Sequence, residues 1–185
     1  MILWPFHTTF VDSTAAYYTG AAQRPPHQIR MDFFYIHCLN CSIFFSAFIA
    51  APWISTANKI RLLEWKGRND LAMYASRASP DLLMNEIRNY KPKKESGWDG
   101  IFERVNSYEE DDGHACKLVR AIAHGEAICK PYEEKQGFKI VGKDWLQLGH
   151  MAIDSVEEGQ QSGTVWVRSC GFEEAWKGIP ERANL

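Results

Sequence analysis

Residues 33–54 read FFYIHCLNCSIFFSAFIAAPWI, and this stretch decides the fold. From Phe33 to Asn58, between Asp32 and Lys59, the chain carries no Asp, Glu, Lys or Arg. A run this apolar is either buried against protein or lies in lipid, and His37 and Asn40 inside it cost free energy unless they are hydrogen-bonded or used. The run is long enough to span a bilayer. Its His, Asn, paired Cys and Ser residues, and flanks without a charge bias, favour a buried helix instead. On a helix over 28–50, Phe33, His37, Asn40, Cys41, Phe44 and Phe48 share one stripe, while Ile36, Leu39 and Ile43 share another. A helix apolar on both sides sits at the centre of its bundle.

Further helices follow on both sides of a short break at Pro52. Ser55 or Thr56 caps a helix whose Ile60, Leu63, Gly67, Leu71 and Tyr74 recur at three- and four-residue steps. Ser79 and Pro80 read as the cap and first turn of another, ending before Pro92, and Trp98, Ile101, Phe102 and Val105 mark a short fourth. Asp111 or Asp112 caps GHACKLVRAIAHGEAIC, and Asp144 caps DWLQLGHMAIDSVEE, which fades at Gly159. Residues 167–182 hold at most a short helix, and only TVWV near Thr164 reads as extended. The expected fold is therefore all-α, a multi-helix bundle around a buried central helix. Residues 1–27, rich in Thr, Ala, Gly and Pro, show no sustained period and read as an irregular N-terminal segment, with one helical domain over 28–185.

The balance of charge narrows the partners. With 21 basic and 23 acidic residues and no basic run longer than KPKK at 91–94, the chain offers no nucleic-acid footprint. Five scattered cysteines, and an N-terminus without the basic start and cleavage site of a secretory leader, read as reduced thiols in a cytoplasmic protein with no membrane partner. The pair Cys38 and Cys41 has no second pair and no βαβ surroundings, so a redox or zinc role is not expected. No dinucleotide, P-loop, zincin or nucleophile-elbow motif occurs, which leaves flavin and metal sites without a signature.

Histidines carry what chemistry remains. His37 with Asn40 supplies a general base and an amide donor for a developing oxyanion, or else a core histidine bonded to a carbonyl. In DDGHA, Asp112 either caps the helix or orients His114, whose imidazole shares a face with Leu118 and Ala121. His150 lies four residues before Asp154, a spacing that permits an orienting contact on one helical face. Arg61, Arg68, Arg77 and Arg120 could clamp an acidic group, though a solvated face explains most of them.

The strings MDFFYIHCLNCSIFF, PWISTANKIRLLEWKGRNDLAMYASRASP, DDGHACKLVRAIAHGE and WLQLGHMAID resemble the fungal questin oxidase family, and the likeness runs from about Gln28 to the C-terminus. The resemblance implies a helical Baeyer–Villiger-type oxidoreductase of secondary metabolism. Such an enzyme opens a ring of an anthraquinone or related aromatic polyketide with molecular oxygen and NADPH as reductant. On this reading His37 or His114 is the base and Asn40 the donor. Phe33, Cys41, Phe44, Asp112 and His150 then line the substrate site. The family's chains are longer, and their histidine-containing N-terminal half has no counterpart here. The alternative is a catalytically incomplete helical protein that binds aromatic polyketides.

Overall fold

Asp32 starts the central helix. In the computed structural model, which describes residues 4–182, its Oδ1 accepts from the N–H groups of Phe34 at 2.8 Å and Tyr35 at 3.2 Å. These are donors that the first turn of a helix leaves unpaired, and a carboxylate also suits the positive end of the helix dipole. The elements in order are α1 (Trp4–Ala21), α2 (Phe33–Ala50), α3 (Thr56–Ser76), α4 (Met84–Arg88), α5 (Trp98–Asn106), α6 (His114–Cys129) and α7 (Asp144–Ser162). Single 3₁₀ turns follow at Lys130–Tyr132 and Glu173–Trp176. The described residues contain no strand, only the isolated bridges His27–Glu181 and Asp32–Val167, so the fold is all-α.

The main core joins α1, α2, α4, α6 and α7 through Tyr35, Ile36, Leu39, Ile87, Leu118, Ile122, Trp145 and Leu148, all fully buried. A smaller cluster of Ile101, Val105, Val119 and Ile153 closes α5 over α6 and α7. Two glycines permit close approaches between helices of the core. A Cβ at Gly20 would stand 2.4 Å from Leu148 Cδ1, and one at Gly125 would stand 2.5 Å from the Trp145 ring.

Several expectations change here. The first 27 residues are not irregular, because α1 fills most of them. Its buried positions from Thr9 onward are Thr9, Asp12, Ser13, Ala15, Ala16, Tyr18, Thr19, Gly20 and Ala21, mostly small residues that let helices approach closely without an apolar period. The central helix α2 packs on α1, α3 and α6. Ile36, Leu39, Ser42 and Phe45 are buried, but His37, Cys41 and Phe44 are exposed, so only one side is sunk in the bundle. By length and composition α2 could also cross a membrane. In α3, capped by Ser55 as expected, the inward residues are Lys66 and Asp70, which pair with each other, while Ile60 and Leu71 are exposed. The helix from Ser79 does not form. Ala78 and Ser79 adopt positive φ, Leu83 N–H is held by Ala21 O at 2.8 Å, and only Met84–Arg88 is helical.

The C-terminal segment locks the start of α2. Val167 O accepts from Phe33 N–H at 2.8 Å, Val167 N–H donates to Met31 O at 3.1 Å, and Cys170 N–H donates to Asp32 Oδ2 at 2.8 Å. This sets Trp166 and Arg168 beside the first turn of α2.

Candidate active site

Helices α2 and α6 run side by side. Phe33 and His37 meet His114 at one end, and Ser46 Oγ meets His124 Nε2 at 3.2 Å further along. The two histidines singled out from sequence thus converge from separate helices. Their ring centroids are 5.1 Å apart, and Phe33 lies 4.7 Å from His37 and 5.0 Å from His114. Trp166 adds an edge contact to His114 at 6.4 Å, and the Arg168 guanidinium lies 3.9 Å from the Phe33 ring centroid, a cation–π distance.

Hydrogen bonds fix the tautomers. His37 Nδ1 lies 2.6 Å from Phe33 O, an atom that can only accept, so Nδ1 carries the proton. His114 Nδ1 lies 2.5 Å from Asp112 Oδ1, which also accepts from the His114 N–H at 3.3 Å. The hydrogen bond from His114 holds the Asp112 carboxyl below the usual carboxylate range, and an ionised carboxylate accepts only, so this Nδ1 is protonated as well. In each neutral ring the lone pair is left on Nε2, the nitrogen that can take a proton. Asp111 performs the capping: its oxygens accept from Ala115 N–H at 2.9 Å and Cys116 N–H at 3.0 Å. That division leaves Asp112 to orient His114.

The other sequence-derived residues are placed differently. Asn40, one turn beyond His37, is half-buried, has a buried Oδ1 without a partner, and makes no hydrogen bond to either imidazole. Cys41 is exposed on the side opposite Cys38, and Phe44 is exposed and stacked on Phe48. His150 is buried in α7, where its Nε2 bonds Ser96 O at 2.8 Å. The spacing-based contact with Asp154 does not form, because Asp154 is occupied by Tyr90 Oη at 2.8 Å, Lys93 N–H at 3.0 Å and Arg104 at 2.5 Å. Arg61, Arg68 and Arg120 are exposed, while Arg77 lies 3.7 Å from the Phe34 ring centroid and bonds Ser169.

Trp166 and Arg168 were not legible as site residues. Their one signal was the extended string TVWV, which makes the bridge to Asp32 and carries both toward Phe33. The assembled surface has two basic nitrogens, flat aromatic contacts and a cation. It can therefore receive a planar acidic aromatic group and take a proton from it.

Comparisons with known proteins identify the family. A family model described as questin oxidase-like matches residues 7–122. The chain is 37% identical to the oxidoreductase AflY of Aspergillus parasiticus, covering 96% of this chain and 41% of that protein. It is 40% identical to a Baeyer–Villiger oxidase of Pestalotiopsis microspora, over 90% of this chain and 37% of the relative. With the questin oxidase of Aspergillus fumigatus the identity is 36%, over 91% and 38% respectively. The chain thus spans about two-fifths of the length of these relatives. From the extent of these matches, the chain belongs to the questin oxidase-like family.

Proposed function

We propose that the chain supplies the base of an oxidoreductase that opens a ring of an anthraquinone or related aromatic polyketide by Baeyer–Villiger-type oxidation in fungal secondary metabolism. The observation that carries this reading is the ring-to-ring pair of His37 and His114, each with Nδ1 spent and Nε2 free. The names of the relatives, an oxidoreductase, a Baeyer–Villiger oxidase and a questin oxidase, support the reaction class.

In this scheme a ring carbonyl is converted to an ester or lactone by insertion of one atom of O₂. The second atom leaves as water, with NADPH and a proton supplying the electrons and hydrogen, and addition of a water molecule across the acyl C–O bond of the lactone then opens the ring to a carboxylic acid and a phenol. The protein's part is to remove a phenolic proton at His37 or His114 Nε2, which makes the ring electron-rich enough to react with oxygen. Phe33 and Trp166 hold the flat rings, and Arg168 steadies the phenolate. Asn40 is the candidate donor to the carbonyl or peroxide oxygen of the substrate. The described residues form no strand-to-helix glycine turn of the kind that cradles a dinucleotide pyrophosphate, so no step is assigned to a bound nicotinamide.

Incubation with a hydroxyanthraquinone, NADPH and oxygen, followed by mass spectrometry, tests the proposal. Ring-opened product is expected, and replacing both histidines by alanine should lower its rate roughly 10²- to 10⁴-fold. Unchanged turnover in the double variant would remove the assignment. The exposure of His37 favours a second reading, a polyketide-binding protein without turnover, which would show thermal stabilisation by the ligand and no product.

A further inference from the structure

His37 and Cys38 are adjacent, yet they face opposite sides of α2. His37 turns to His114, whereas the Cys38 thiol is buried near Tyr18 and Asp70, close enough for these groups to bias one another's ionisation. On that second side, between α1 and α3, lies a cleft of ≈ 480 Å³ walled by Phe10, Tyr17, Tyr18, Leu71, Tyr74 and Leu82. Its size falls within the range of small-molecule sites.

Most polar atoms of the wall are already engaged. Thr14 Oγ1 donates to Phe10 O, Tyr17 Oη to Leu82 O and Tyr74 Oη to Pro80 O. Two buried ones form no hydrogen bond of ordinary geometry, Tyr18 Oη and Asp70 Oδ1, which lie close enough to interact with each other and with the Cys38 thiol, although their residues are only 4% and 7% exposed. Buried polar atoms are rarely left this way, because each unmade bond forfeits the hydration it replaced. Asp70 Oδ2 is taken by Lys66, so this acid is charge-balanced, and Asp12, fully buried, lies behind it near Ser42 and the same lysine. An anion would face the carboxyl groups of Asp70 and Asp12, against which stand Lys66, already paired with Asp70, and the exposed Lys139, which also lines the cleft. A cation would compete with Lys66. A hydroxyl is both donor and acceptor, and suits the open pair without adding charge.

We propose that this cleft is a second small-molecule site, for a neutral planar aromatic molecule whose hydroxyl donates to Asp70 Oδ1 and accepts from Tyr18 Oη. It is separate from the histidine pair and does not depend on the chemistry assigned there. Gly67 offers a clean way to close it: the residue lines the cleft, and a Cβ there would meet nothing within 4 Å.

Calorimetric titration of the full chain with 1-naphthol, and with 1-methoxynaphthalene as the probe lacking the donor, tests the site. Saturable 1-naphthol binding at one per chain is expected, with the ether roughly tenfold weaker, the worth of one hydrogen bond. Gly67→Leu should keep the circular dichroism and melting temperature of the parent while losing binding at least about tenfold. Tyr18→Phe removes a donor from which the oxygen of either probe can accept, so it should weaken both several-fold, which keeps the test independent of the bulky variant. The His37→Ala/His114→Ala chain should bind 1-naphthol like the parent. The proposal is overturned by absent or non-saturable binding, equal affinity for the two probes, or undiminished binding to Gly67→Leu. Loss of binding in the histidine variant would also overturn it, by placing the ligand at the other site.

Discussion

Asp32→Ala should destabilise the fold and loosen the candidate site through one side chain. Asp32 is 1% exposed, caps α2 through Oδ1 and receives Cys170 N–H on Oδ2. Loss of an N-cap costs about 1 kcal/mol. Cys170 is also buried, and leaving its N–H unpaired costs about 1–3 kcal/mol more. The expected total is about 3 kcal/mol, a fall in melting temperature of about 6–12 °C for a domain of this size. Asp32→Asn keeps the cap oxygen but turns a donor toward the Cys170 N–H, so it should lose mainly the second contribution. Urea denaturation with linear extrapolation measures both, and the Trp166–His114 edge contact should weaken in parallel, read as chemical shift changes at the His114 ring. A cost below about 1 kcal/mol for Asp32→Ala would refute the view that this residue joins α2 to the C-terminal segment.

Three further outcomes follow from the same structure. Gly125→Leu forces a side chain into the Trp145 ring and should cost at least about 1–3 kcal/mol by denaturation. Burial raises the Asp12 carboxyl from its usual 3.8 to about 6, opposed in part by Ser42 and Lys66. A raised carboxyl favours the neutral form in the folded state, so its penalty is full above about pH 6 and disappears below pH 3.8. Relative to Asp12→Asn, the parent should gain up to about 3 kcal/mol between pH 7.5 and pH 4, as read by denaturation at each pH. A constant difference across that window would contradict the assignment. Asp112→Asn should release the His114 tautomer, so that imidazole ¹⁵N shifts move away from the Nδ1–H form, while His37, held by Phe33 O, keeps it.

The helices with bulky apolar periods were legible in the sequence. The segment with DDGHA at its start and the one beginning DWLQLGH form α6 and α7 close to where the periodicity puts them, because their inward faces carry Leu118, Ile122, Trp145 and Leu148. Helix α1 was not legible, since it packs through Ala15, Ala16 and Gly20 rather than through large residues. In α3 the apolar period points outward, and the inward Lys66 and Asp70 read as an ordinary exposed i,i+4 pair until the fold encloses them. The site shows the same division. Spacing proposed His37 and His114 separately, but only the parallel packing of α2 and α6 brings them within 5.1 Å. His150 and Asp154 show the converse: a helical spacing that permits contact does not make it when Arg104, Tyr90 and Lys93 already occupy the carboxylate.

The central claim is that His37 and His114 act as one face toward a flat aromatic substrate. Imidazole ¹H–¹⁵N spectra recorded while a hydroxyanthraquinone is titrated into the chain test it most directly, whether or not turnover follows. The Nε2 signals of His37 and His114 should shift together and saturate with a common dissociation constant, while the buried His150 stays in place. Saturable binding that leaves both Nε2 signals unmoved would contradict the account.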